Sequence, residues 1–187
     1  MRGAAILLGL AALSAPAGAE PLRWEIDAEA SRIGIVYLIN GEQRRGEIGR
    51  FSGAARFDPD DVSAARLTLE IDMDSVDVGE PFGTFIVKTS DWFDVAAHPT
   101  ARYELDRMEP LGDGRFRAEG RLTMRGVEHS VSGDLSLDLA GEIAGAEGAA
   151  SFPRSLYGIG IGFTALFVEV GDEVGVEFDL VATPEDG

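Results

Sequence analysis

Arg66-Leu67-Thr68-Leu69-Glu70-Ile71-Asp72-Met73 alternates without a break. Leu67, Leu69, Ile71 and Met73 fall on one face; Arg66, Thr68, Glu70 and Asp72 fall on the other. A period of two marks a half-buried strand, because successive side chains point to opposite sides of a sheet. The same reading extends downstream. Ala101 to Met108 predicts a strand bounded by Pro110-Leu111-Gly112-Asp113-Gly114, a hairpin-loop signal. Arg115 to Arg125 turns Phe116, Ala118, Gly120, Leu122 and Met124 inward and Arg115, Arg117, Glu119, Arg121 and Arg125 outward. After Gly126, His129 to Leu139 sets Val131, Leu135, Leu137 and Leu139 against Ser132, Asp134, Ser136 and Asp138. Gly141 to Ala150 is small and Gly/Ala-rich: either a strand pressed against another backbone, or a loop. Ile159 to Val170 and Val174 to Ala182 close the series, the latter carrying Val176 and Phe178.

Upstream, Leu22 to Asp27 alternates, and Ser31 to Ile39 puts Ile33, Ile35, Tyr37 and Ile39 on one face. Its other face is apolar as well. Gly41 to Gly46 reads as a polar turn region. Glu47 to Phe57 returns as a strand whose Gly49 and Gly53 suggest bulges or sharp bends. Asp58-Pro59-Asp60-Asp61 is turn chemistry. Pro81 to Val95 reads as the one helical interruption, closed off by His98-Pro99. Within it Trp92 and Phe93 stand side by side, suited to plugging the mouth of a container.

Eight or more short strands, one helical insert and no repeat define an all-β chain, an antiparallel barrel or sandwich. We favour a barrel, since Ser31–Ile39 and Ile159–Val168 are too apolar on both faces for a sheet with one wet side.

Met1-Arg2, the uncharged run Gly3 to Ala15 and the small-x-small site Ala17-Gly18-Ala19 predict a secretory signal peptide over residues 1–19. Removing 19 of 187 residues leaves 168, the length of one domain, over residues 20–182 with a disordered tail at 183–187. The mature chain is expected in the periplasm and not across the membrane. It contains no cysteine, which excludes thiol catalysis and Cys-ligated metals. Without Arg2, 15 basic residues face 33 acidic ones, a net charge of −18 that makes nucleic acid and anionic lipid poor partners.

His98 and His129 lack H-x-x-x-H, H-E-x-x-H or a serine-elbow context, so no catalytic residue and no metal site is assigned. Asp91 and Asp94, three apart, could be paired carboxylates, but helix capping at Asp91 is the commoner reading. Asp72-x-Asp74-x-x-Asp77-x-Gly79 lacks the spacing of an EF-hand and reads as a turn with solvated acids. Arg121 and Arg125 read as surface charge.

Six segments in order resemble the YceI-like family, exported lipid-binding proteins of lipocalin-like architecture. They are Trp24-Glu25-Ile26-Asp27; Gly49-Arg50-Phe51-Ser52-Gly53 with Phe57-Asp58-Pro59; Ile71 to Gly79; Ser90-Asp91-Trp92-Phe93-Asp94-Val95 with Pro99; Gly120-Arg121-Leu122-Thr123-Met124-Arg125-Gly126-Val127; and Arg154-Ser155-Leu156-Tyr157-Gly158. Val170 to Val174 is similar to the family's final strand. The resemblance implies an extended barrel of about eight antiparallel strands whose cavity holds an isoprenoid or similar amphiphile. It further implies a carrier with no cofactor and no enzymatic activity, or an accessory protein of a membrane b-type cytochrome and quinone system. An enzyme acting on a bound lipid is the third reading, and the resemblance leaves room for a homodimer.

On that view Ile33, Ile35, Tyr37, Leu67, Leu69, Ile71, Met73, Phe116, Leu122, Met124, Leu135, Leu137, Val176 and Phe178 line the cavity. Phe82, Phe85, Trp92 and Phe93 sit at its mouth. The competing reading is that all of them fill a solid core. The sequence departs from the family in carrying Ala30 where a histidine is usual before Ser31. It also has a nearly apolar Pro81–Ile86 where an Arg-Asp pair is usual, so the headgroup preference is expected to differ.

Overall fold

Three hairpins turn on residue pairs whose φ angles are both positive: Asn40-Gly41 at 51° and 78°, Asp113-Gly114 at 54° and 72°, and Arg125-Gly126 at 52° and 74°. Two-residue turns of this kind match the twist of the strands they join, which fixes the register on either side. The computed structural model describes residues 22–58, 61–139, 143–163, 166 and 168–185. Its strands are β1 (Leu22–Ile26), β2 (Arg32–Ile39), β3 (Glu42–Ile48), β4 (Phe51–Asp58), β5 (Asp61–Asp72), β6 (Val76–Asp77), β7 (Thr100–Gly112), β8 (Arg115–Met124), β9 (Val127–Asp138), β10 (Ala144–Pro153) and β11 (Glu173–Pro184). One short helix, α1 (Pro81–Val87), lies between β6 and β7.

All pairings are antiparallel, and the sheet closes through β1–β4–β5–β7–β8–β9–β10–β11 and back to β1. β2 continues β1 along β11, β3 continues β4, and β6 continues β5 beyond the 3-10 turn Met73–Ser75. The result is an eight-staved barrel with three staves broken part-way. The breaks are stitched to one another. Gly49 N–H donates to the Ser75 carbonyl at 3.1 Å and Arg50 N–H to Ser75 Oγ at 2.9 Å. Between β1 and β2, Val181 N–H of β11 donates to the buried Ser31 Oγ at 2.9 Å. Bending the staves in this way extends the barrel, and closure leaves its ring without free edges.

Two clusters hold the interior, a lower and an upper. The lower gathers around Trp24, stacked on Phe57 at 4.8 Å, with Leu69, Leu105 and Leu180. The upper gathers around Tyr157 and Trp92 with Met73, Val76 and Met124.

Several expectations are corrected. Gly41 to Gly46 is not a turn region: the Asn-Gly pair turns in two residues and β3 begins at Glu42. The helix ends at Val87, not Val95, because Thr89 takes the Ile86 carbonyl with both its N–H and its hydroxyl. Asp91 therefore stands past the end of α1; its backbone carbonyl receives Gly160 N–H at 2.8 Å. Among its described residues, Ile159 to Val170 forms no strand. Gly158 and Gly160 adopt positive φ, and Arg154 captures the Ile159 and Gly160 carbonyls that a ladder would need. Ile161 and Leu166 are exposed, so this segment lends no support to a barrel; β2 does. The Gly/Ala-rich segment is β10. A Cβ on Gly148 would stand 2.5 Å from the Asp134 carbonyl and 2.7 Å from Leu135 Cβ, the close backbone approach that needs glycine. β11 runs to Pro184, which pairs with Trp24, so the tail is ordered through that residue. The signal-peptide reading over residues 1–19 lies outside the described residues.

Candidate functional site

Inward positions along the staves leave a space that their side chains do not fill. Its volume is about 250 Å³. Ile33, Ile35, Leu67, Leu69, Ile71, Met73, Leu122, Met124, Leu135, Leu137, Val176 and Phe178 all face it, as does Phe93. The space stays open because many other inward residues are small: Ala55, Ala65, Ala101, Ala118, Ala144, Ala146, Ala150 and Ala182. Of these alanines the sequence reading turns only Ala118 inward, and it leaves Ile26, Phe57, Tyr103, Leu105 and Leu180 of the same wall unassigned. The alternation at Ala101, Tyr103 and Leu105 was the available signal. Arg66 borders the wall, while its guanidinium donates to the Ala64 and Ala65 carbonyls.

Five predicted positions lie off this wall. Phe116 packs against the lower cluster. Tyr37 donates its hydroxyl to the Val78 carbonyl at 2.8 Å. Phe82 and Phe85 on α1 are 75% and 67% exposed. Trp92 is buried in the upper cluster under the Arg154 guanidinium, 5.8 Å from its ring centroid. The adjacent aromatics thus divide: Phe93 faces the cavity and Trp92 braces the segment above it.

Two arginines lock that end of the barrel. Arg154 donates to the carbonyls of Ile159 (2.5 Å), Gly160 (3.0 Å), Val170 (2.8 Å) and Gly171 (3.0 Å). Arg125 is not a surface charge. It donates to the carbonyls of Trp92 (2.6 Å), Ser90 (3.1 Å) and Gly158, which explains why a hairpin position suited to asparagine or glycine holds an arginine at positive φ. Arg121, by contrast, stays outside and pairs with Asp106.

The other polar candidates serve turns. Asp72 receives Asp74 N–H at 2.9 Å and pairs with Arg50, which holds its carboxyl below the usual range. Asp77 receives Gly79 N–H at 2.7 Å and the Thr84 hydroxyl at 2.8 Å, with the same effect. His98 donates its backbone N–H to Asp94, and His129 Nε2 lies 3.1 Å from the Leu156 carbonyl. Among the described residues no cluster of His, Asp or Glu could hold a metal ion, and no helix is long and apolar enough to cross a membrane.

Burial pushes the Tyr103 and Tyr157 phenols from 10.0 up to about 12. Below pH 10 these groups are protonated whether the chain is folded or not. As pH rises from 10 to 12 the unfolded chain releases their protons first, so the stability tied to the neutral phenols is lost across that window. Lys88 is the only lysine, and the one other tyrosine, Tyr37, is likewise raised by burial and acts in the same direction. The urea midpoint is expected to hold to about pH 10 and then fall; a midpoint flat to pH 12 would contradict the burial of these hydroxyls.

A YceI-like domain model matches residues 24–182. The chain belongs to the YceI-like family. Among its YceI-like relatives is a UPF0312 protein of Pseudomonas paraeruginosa, 28% identical over 165 residues, covering 83% of this chain and 85% of the relative. A UPF0312 protein of Vibrio vulnificus is 25% identical over 150 residues, covering 78% and 76%. Of solved structures, Burkholderia cenocepacia BcnA superimposes with a TM-score of 0.77 at 27% identity, covering 84% of this chain and 99% of BcnA. A domain from Saccharophagus degradans, described as polyisoprenoid-binding, superimposes at 0.70 with 17% identity, covering 88% and 99%. The latter likeness carries the YceI-like fold alone.

Proposed function

We propose that this barrel binds one long lipophilic molecule, a polyisoprenoid or isoprenoid-quinone-like lipid, and ferries it through the periplasm. The observation that carries the reading is the apolar cavity of about 250 Å³ running between the two core clusters. The polyisoprenoid-binding description of the Saccharophagus degradans domain supports the choice of ligand class. Ile33, Ile35, Leu69, Ile71, Met124, Leu135, Val176 and Phe178 are the contacts we assign to the ligand chain, with Phe93 at the upper end. Burying roughly 300 Å² of hydrocarbon at about 25 cal/mol per Å² yields about 7.5 kcal/mol of gross driving force before ordering costs. Binding of this kind reads length and width. The protein binds and releases; it does no chemistry on its cargo.

The test is native mass measurement of mature protein exported to the periplasm and purified without detergent. A stoichiometric excess mass that leaves with organic solvent and fragments as an isoprenoid is the expected result. A protein that emerges empty, and stays empty when polyprenyl and quinone lipids are offered, would overturn the reading.

A further inference from the structure

Two of the described residues that border the cavity carry a side-chain hydroxyl, Tyr103 and Ser132; Ser132 stands at an exposed, outward position of β9, which leaves Tyr103 as the one on the inward face. Tyr103 sits on β7 between Leu69 of β5 and Leu122 of β8, where the two core clusters meet. Its ring leans across β8 at Gly120. A Cβ there would stand 2.6 Å from Tyr103 Cζ and Oη, so the missing side chain makes room for the phenol. The hydroxyl has no hydrogen-bond partner among the described residues. Trp24 Nε1 and Tyr157 Oη are fully buried without partners among the described residues, but neither residue faces the cavity. Leu122 lies three residues below the rim turn Arg125-Gly126, or roughly 10 Å at a strand's rise per residue. The phenol leans deeper still, toward Gly120.

An unpaired donor in an apolar enclosure discriminates strongly. A ligand that offers it an acceptor gains a hydrogen bond, and one that buries it against hydrocarbon leaves it unsatisfied. The acceptor must be neutral. Among the described residues Arg66 is the one cation that borders the wall, and it already spends its guanidinium on backbone carbonyls, so a phosphate at this depth would be an uncompensated charge. The phenol itself stays protonated, and a donor, at any physiological pH.

We propose that Tyr103 is the polar anchor of the cavity, donating a hydrogen bond to an uncharged carbonyl-type oxygen carried into the middle of the barrel. The preferred cargo is then a lipid with a ketone, ester or quinone oxygen that enters oxygen-first, rather than a pure hydrocarbon or a phosphate-headed polyprenol. This deepens the carrier reading above and rests on it. It also accounts for the nearly apolar α1: recognition has moved from the mouth to the interior.

The test uses phytone, a saturated isoprenoid methyl ketone, and pristane, in which a methyl-bearing carbon replaces the carbonyl. Affinities of the delipidated protein and of Tyr103→Phe are measured by displacement of a fluorescent apolar probe. The wild type is expected to prefer phytone, and the preference is expected to fall about five-fold in the variant, which still binds pristane at least as well as the wild type does. The carbonyl stretch of bound phytone should be red-shifted in the wild type and not in the variant. Pristane binding no weaker than in the wild type shows that the variant is folded. An unchanged phytone-to-pristane ratio, with both ligands bound, would overturn the anchor and leave the carrier reading standing. Failure of the wild type to bind either ligand would remove the carrier reading and the anchor together.

Discussion

Trp92→Ala is expected to cost the folded protein about 3–5 kcal/mol, and to lower its midpoint of thermal unfolding by roughly 6–20 °C for a chain of this size. The indole is 6% exposed, covered by the Arg154 guanidinium. A Cβ on Gly160 would lie 2.7 Å from its ring, so the chain passes over the indole with no room to spare. Removing the ring leaves a void among Met73, Met124, Tyr157 and Ile159 that these neighbours cannot close without shifting the segment Arg154 holds. The variant keeps the Trp92 backbone carbonyl that Arg125 uses, so the loss measures the ring alone. Phe82→Ser on exposed α1, a residue of the same aromatic set, should stay within about 0.5 kcal/mol of wild type. Urea unfolding reads both. A cost under about 1 kcal/mol for Trp92→Ala would show that the barrel end is held without the indole.

That contrast also shows which parts of the molecule could be read from the sequence. Strands with one wet face were legible, because period-two alternation at Leu67–Met73 or Phe116–Met124 is imposed by geometry and repeated over many residues. Trp92 and Phe93 were legible as a functional pair, but not which of them faces the interior. That is decided by Arg154 and Gly160, more than 60 residues away in the chain. Arg125 looked like surface charge because alternation describes only the strand, and the residue stands at the turn where the chain leaves it. The apolar run after Ile159 imitated a strand because hydropathy cannot register that a guanidinium has taken its carbonyls. The cavity wall was read from large residues, whereas its openness depends on small ones.

Filling the cavity should move binding and stability in opposite directions, and Ala146→Phe is the change we would make. Ala146 lies on β10 between Leu137 of β9 and Leu180 of β11, and its methyl faces the open space. A phenyl ring there occupies volume otherwise available to a ligand. If it displaces roughly 100 Å² of ligand contact, affinity falls by about 2.5 kcal/mol, close to a hundredfold. In a solid core the same substitution would be overpacking, costing about 1–3 kcal/mol. In a cavity it supplies contacts the delipidated protein lacks and is expected to raise stability by about 0.5–2 kcal/mol. Ala149→Phe is the control. It adds the same ring to the same strand on the exposed side, three positions on, and should leave affinity for the fluorescent apolar probe unchanged. A stabilised Ala146→Phe that no longer takes up the probe places the ligand inside the barrel. A destabilised variant would mean that the space closes in solution, and a stabilised one with full affinity would send the ligand to the outer surface, where Phe82, Phe85 and Ile161 stand exposed.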